Sequence, residues 1–226
     1  MTDDMFQEKL AAYCAKTFGE GGKLTDVQRL SGGASMESWA FAYGREDYVL
    51  RRLPTGLSPD DDGLRGVPLA TQADVIELAR SAGVTAPEVR GRLKPEDDLG
   101  EGFIMTKAEG ETLPHKILGN PEFAEAESRL TAQCAQELAA IHRIEMNPLL
   151  QSLEYFSPAE LIGLQKDKYH EIGGQIPIYE YAFHWLEQNA PDASDKYLVH
   201  GDFRMGNLMI DHQGLSAVLD WELVRL

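Results

Sequence analysis

Two short apolar runs near the C-terminal end of the chain enclose a polar loop, and no other stretch limits the fold so tightly. It reads Tyr197-Leu-Val-His200-Gly201-Asp202-Phe-Arg204-Met-Gly-Asn207-Leu-Met-Ile210, followed by Ala217-Val-Leu-Asp220-Trp-Glu222. Short apolar runs bounded by turn formers predict strands: one over 197–199, then a hairpin of 208–210 and 216–219 joined through Asp211-His-Gln-Gly214. An Asp, a basic residue and an Asn are thereby fixed on one loop between strands, and a second Asp closes the next strand. A hairpin with polar residues in its loops accounts for the same pattern without any chemistry.

The spacing H-x-D-x-x-x-x-N with a downstream Asp is that of a kinase catalytic loop. Phosphoryl transfer asks for these residue types: Asp202 can accept the proton of an attacking hydroxyl, and Asn207 and Asp220 can hold Mg²⁺ on nucleotide phosphates through oxygen ligands.

Composition narrows the partners. The net charge of the 226 residues is -16 and the sequence pI is about 4.7. Such a surface repels nucleic acid and anionic membrane, so neither is expected as a partner. It favours a cationic substrate, although an acidic balance also serves solubility alone. The N-terminus has no basic region followed by an apolar one, and no apolar run is long enough to span a bilayer. Cys14 and Cys134 lie far apart and suggest neither a disulfide framework nor a metal cluster. A cytoplasmic protein is the expectation.

Taken in order, Asp4–Phe18 carries Phe6, Leu10, Tyr13 and Cys14 at helical spacing, with Asp3 as a candidate N-cap. Val27–Leu30 and Ser38–Tyr43 read as strands around the small-residue loop Ser31-Gly32-Gly33-Ala34-Ser35. That loop could bring backbone N–H groups close to a phosphate, but an ordinary hairpin turn explains it equally well. Tyr48–Leu53 is a third strand whose Arg51 and Arg52 point to opposite faces, so only one of them can reach a ligand. Pro54–Pro68 reads as a mobile loop and Leu69–Ala82 as a helix; Val84–Val89 and Gly102–Thr106 read as two further strands. Helices dominate beyond Lys107: Ala124–Ile144, a segment from about Ser157 to His170 opened by a Ser157-Pro-Ala-Glu160 capping box, and Tyr179–Asn189. The aromatics of the last, Tyr181, Phe183 and Trp185, read as core.

With lobe order and loop both in view, the chain resembles the aminoglycoside phosphotransferase (choline kinase-like) family. It is most similar to the branch related to the kinase-like domains of acyl-CoA dehydrogenase family proteins. The resemblance rests on RLSGGAS, YVLRR, GFIMTKAEGETL, LAAIH and HGDFRMGNLMI…VLDWE. It implies an α+β, bilobal protein-kinase-like fold, with a nucleotide-binding antiparallel-sheet lobe over 1–107 and a mostly helical lobe over 108–226. It further implies ATP and Mg²⁺ as cofactors, Asp202 as catalytic base and Arg204 as a charge-stabilising catalytic residue. Asn207 and Asp220 become the metal ligands. The loop 31–35 and Arg51 are placed on the phosphates, and Met105, Thr106 and Ala108 around the adenine.

Two departures from the family stand out. A helix Glu that pairs with the basic strand residue is replaced by Gln72, which can hydrogen-bond to Arg51 but cannot form an ion pair; Asp74 and Glu77 are the alternatives. Family members also continue past the last strand into helices that form much of the acceptor pocket, whereas this chain stops at Leu226. An incomplete helical lobe is therefore expected, with exposed apolar surface and homodimerisation as consequences. The activity implied is transfer of the γ-phosphate of ATP to a hydroxyl of a small molecule, aminoglycoside-like or a metabolite or hydroxyacyl alcohol. The alternative is a nucleotide-binding relative without turnover.

Overall fold

Helix α1 (Asp3–Phe18) puts Phe6, Leu10, Tyr13 and Cys14 on one stripe, and all four are buried. The computed structural model describes residues 3–30, 36–54, 66–192 and 195–226. The Ser31-to-Ser35 loop and the interior of the expected loop between Pro54 and Pro68 lie outside the described residues. The α1 stripe covers one face of a five-stranded antiparallel sheet made of β1 (Leu24–Leu30), β2 (Glu37–Tyr43), β3 (Glu46–Leu53), β4 (Val89–Arg92) and β5 (Glu101–Thr106), in the order β1-β2-β3-β5-β4. Strand alternation then decides what each β3 side chain meets. Tyr48 and Leu50 pack into the α1 cluster. Arg52 follows them to that face, where its guanidinium lies 4.2 Å over the Phe6 ring and bonds to Glu37 and the Leu99 carbonyl. Arg51 emerges on the other face.

That other face carries α2 (Leu69–Ser81), whose Leu69, Ala73, Val75, Ile76 and Ala79 are buried. The same core continues through Phe103, Val84 and Ala86 to Leu208, Ile210, Val218 and Trp221, so the sheet and the helical part share one apolar interior. The strand expected from Val84 starts only at Val89. Upstream, the backbone bonds elsewhere: Val84 N–H to Ala79, Thr85 N–H to the Glu137 carboxylate, and the Thr85 carbonyl to Val218 N–H. Pro87 has no N–H to offer a ladder.

The helical part comprises α3 (Pro114–Ile117), α4 (Ala124–His142), α5 (Pro148–Gln151), α6 (Pro158–Glu171) and α7 (Pro177–Asn189), with the hairpin β6 (Leu208–Asp211) and β7 (Gly214–Val218). The capping box is formed: Ser157 Oγ accepts from Glu160 N–H at 3.3 Å, and the Glu160 carboxylate accepts from Ser157 N–H at 2.7 Å. The core role expected for the α7 aromatics is not found. No residue of α6 or α7 is buried, and Tyr181 is 65% and Trp185 53% exposed. These two helices pack on each other through Tyr169, Tyr179 and Phe183, so much of the apolar surface of α7 faces outward.

The connection after β5 is tied down rather than free. Glu111 exchanges backbone hydrogen bonds with Ile210 at 2.8 and 3.0 Å, and Ser216 Oγ donates to the Glu109 carbonyl. The close approach needs Gly110, at φ 134°, where a Cβ would stand 2.4 Å from the Ile210 carbonyl oxygen. Gly110→Ala is expected to cost about 2–3 kcal/mol, read as a lower denaturation midpoint.

Candidate functional site

The loop between Leu198 and β6 is held by its own backbone. Val199 and Arg225 form an isolated antiparallel bridge, and Met205–Asn207 is a 3₁₀ turn whose last N–H returns to the Arg204 carbonyl at 2.8 Å. Asp202 sits at the centre. Its carboxylate accepts from Arg204 Nε at 3.0 and 3.2 Å and from Asn207 Nδ2 at 2.7 Å. Asn207 Nδ2 also donates to the Asp202 carbonyl, which leaves Oδ1 as the atom of that amide able to ligate a cation.

Asp220 follows β7 in the left-handed region, at φ 65° and ψ 68°, a conformation that Asp tolerates better than most residues. Leu219 N–H donates to the Asn207 carbonyl at 2.8 Å, so one backbone hydrogen bond joins the segments that carry the two metal candidates. His200, 1% exposed, ties the same pieces together. Its Nδ1 accepts the Asp202 N–H at 3.3 Å, so Nε2 bears the proton and donates to the Leu219 carbonyl at 3.0 Å. Burial lowers its pKa and favours this neutral form. No role for His200 follows from its residue type; only its place in the H-x-D spacing points to it.

From β3, Arg51 Nη2 meets both Asp220 Oδ1, at 2.9 Å, and Glu222 Oε2. The contact with Glu222 is a hydrogen bond, whereas Asp220 Oδ1 has charge contact without hydrogen-bond alignment. Glu222 has its pKa raised, by burial first and by the neighbouring Asp220 charge second, against the lowering effect of Arg51. Gln72 does not meet Arg51. Its amide donates to the Val67 carbonyl at 2.9 Å.

The adenine candidates lie where β5 ends. Met105 is half-buried against the core, opposite Val49 of β3 and Val89 of β4. Thr106 N–H is committed to the Glu88 carbonyl at 2.9 Å, and Thr106 Oγ1 accepts the Glu88 N–H. The Thr106 amide is therefore not a donor for a base, and Ala108 is the remaining amide of the two. The small-residue loop falls outside the described residues. Among those described, no group of three or more His, Cys, Asp or Glu could hold a metal ion. One carboxylate and one amide is nevertheless the kind of donor set that Mg²⁺ uses, since water and phosphate fill its remaining positions.

A sheet lobe over a helical part, with a His-Gly-Asp loop at their junction, defines a kinase-like phosphotransferase architecture. The profile of the phosphotransferase enzyme family (APH) matches residues 26–226, and the chain belongs to that family. A curated relative, acyl-CoA dehydrogenase family member 11 of Gallus gallus, is 27% identical over 209 residues, which cover 87% of this chain and 26% of the relative. The chain thus spans about a quarter of that protein. A Ralstonia eutropha protein assigned to the aminoglycoside phosphotransferases superposes with a TM-score of 0.75 at 22% identity, over 96% of this chain and 65% of that one. A thermostable mutant of aminoglycoside phosphotransferase APH(4)-Ia, in ternary complex with AMP-PNP and hygromycin B, gives a TM-score of 0.63 at 20% identity, over 96% and 71%. At these identities the solved structures establish the α+β kinase-like fold. Among the described residues no helix is long and apolar enough to cross a membrane.

Proposed function

We propose that this chain binds ATP with Mg²⁺ and transfers the γ-phosphate to a hydroxyl of a small molecule, with 1–107 handling the nucleotide and 108–226 the chemistry. One observation carries the reading. Among the described residues, the buried side-chain polar atoms without a hydrogen-bond partner are Arg51 Nε and Asp220 Oδ1, on two side chains in charge contact through Arg51 Nη2. A buried donor without an acceptor and a buried carboxylate oxygen without a donor are each costly. A phosphate oxygen satisfies the first and a divalent cation the second. Asn207 and Asp220 would hold Mg²⁺, which supplies charge neutralisation on the phosphates.

Asp202 then takes the acceptor proton. Arg204, 62% exposed at its side chain, both orients Asp202 and offers positive charge to the transferred group. The family supports the phosphotransferase class, and the APH(4)-Ia complex supports a nucleotide and a hydroxyl-bearing small molecule as the two ligand types. The acceptor in this reading is an aminoglycoside-like molecule or a metabolite or hydroxyacyl alcohol.

Asp220→Asn tests the nucleotide half, because Asn also tolerates the left-handed backbone, so the variant reports on charge rather than strain. ATP with Mg²⁺ at a hundred times its dissociation constant stabilises by ~2.7 kcal/mol, or roughly 5–10 °C in melting temperature for a chain of this size. Wild type is expected to show that shift and Asp220→Asn to lose most of it. An equal shift in both would remove Asp220 from the site. Nucleotide binding with no turnover on any hydroxyl substrate would favour the non-catalytic alternative.

A further inference from the structure

We propose that Glu222 is the positioning residue of Arg51, in the place that a carboxylate on α2 would otherwise occupy; this rests on the nucleotide reading above. None of the three α2 side chains that could serve Arg51 does so. Gln72 is buried and bonded to the Val67 carbonyl, while Asp74 and Glu77 both pair with Arg92, at 2.7 and 2.9 Å. Arg51 instead hydrogen-bonds to Glu222, and the backbone of Glu222 is itself anchored. Its carbonyl accepts the Val67 N–H at 2.8 Å, next to Gly66, where a Cβ would come within 3.1 Å of the same carbonyl oxygen. Helix α2 therefore reaches Arg51 by a relay: Gln72 holds Val67, Val67 holds Glu222, and Glu222 holds the guanidinium.

The relay also divides two duties between two carboxylates. Asp220 Oδ1 touches Arg51 Nη2 without a hydrogen bond, so this contact gives way more easily than the one to Glu222. With Asp220 on a cation, Arg51 keeps Glu222 and presents Nε to an acceptor oxygen. Without the Glu222 carboxylate, Asp220 is the counter-charge left to Arg51 among the described residues, and Arg51 competes with the cation for it.

The test is a double-mutant cycle read by calorimetric binding of AMP-PNP at fixed concentration while Mg²⁺ is titrated. Glu222→Gln is expected to raise the half-saturating Mg²⁺ about tenfold, the effect of one charge-assisted hydrogen bond. In the Arg51→Gln background the same change is expected to move it less than about twofold, because Glu222 no longer has a guanidinium to hold. A merely structural role would lower the ligand-free melting temperature and leave the Mg²⁺ midpoint in place, which overturns the proposal. An equal effect in both backgrounds overturns it too, since Glu222 would then act directly on the cation. Gln72→Glu is expected to lower the melting temperature, by facing a carboxylate with the Val67 carbonyl, and not to tighten AMP-PNP; tighter binding would make α2 the direct partner and overturn the relay. Absence of AMP-PNP binding by wild type at any Mg²⁺ concentration overturns the nucleotide reading itself, an outcome distinct from all the others.

Discussion

Gly201→Ala is expected to lose about 3–4 kcal/mol of stability and, with it, nucleotide binding. Gly201 has φ 83°, and a Cβ there would lie 2.1 Å from the Leu223 carbonyl oxygen and 2.8 Å from its carbon. Relief by movement is closed off on both sides. Upstream, Val199 exchanges hydrogen bonds with Arg225 at 2.8 and 3.1 Å, and His200 Nε2 donates to the Leu219 carbonyl. Opposite, the Trp221–Leu223 turn is fixed by the buried Trp221, whose Nε1 donates to the Val218 carbonyl. The alanine therefore pushes Asp202 away from the turn that carries Glu222, and the two halves of the site separate. Gly19→Ala is the control: its φ is 102°, yet nothing lies within 4 Å of a Cβ there. It should show backbone strain alone, about 1 kcal/mol. Chemical denaturation of both variants, with AMP-PNP binding as the second readout, separates the clash from the strain. Equal losses in the two would mean that the loop and the turn are not packed as tightly as these contacts require.

The parts of the site that were legible in the sequence are those set by local order. Asp202, Arg204 and Asn207 share one short loop, and Asp220 closes the strand after it, so spacing alone brought them together. Alternation on β3 separated Arg51 from Arg52 and left open which of them faced Asp220. The stripe on α1 answers that, because Arg52 is drawn over Phe6. What stayed hidden depends on distant partners. The Arg51–Glu222 hydrogen bond joins positions 171 apart in the chain. Gln72 gave no sign that its amide would hold Val67, since residue type says what can be bonded and not which carbonyl is in reach. The segment from Val84 has strand-like residues, but its backbone is claimed by α2, Glu137 and Val218. The aromatics of α7 mark an apolar face correctly; apolarity alone does not say whether a partner covers it.

Asp202→Asn is expected to lower kcat by 10²–10⁴-fold, roughly the range for removing a positioned general base, while AMP-PNP affinity stays within about twofold. The substitution keeps the shape of the side chain. It removes the charge that attracts the acceptor proton, and with it the anion on which Arg204 Nε and Asn207 Nδ2 converge. The proposed nucleotide side of the site is separate, Arg51 held by Glu222 and in charge contact with Asp220, so the loss should fall on kcat and not on binding. Some loosening of Asn207 follows, because an amide at position 202 can no longer accept on both of its side-chain atoms. That effect is separable: it would appear as a higher Mg²⁺ requirement, whereas loss of the base lowers kcat at saturating Mg²⁺. Two assays measure the difference: ADP release with hygromycin B as a probe acceptor, and the slower hydrolysis of ATP with water as acceptor. Turnover by Asp202→Asn at the wild-type rate would show that the acceptor proton leaves by another route and would reduce Asp202 to holding Arg204 and Asn207 in place. A raised Mg²⁺ midpoint with kcat at saturating Mg²⁺ unchanged would assign it to the metal site instead. A loss in kcat at saturating Mg²⁺, with AMP-PNP affinity intact, is the result that a general base at this position requires.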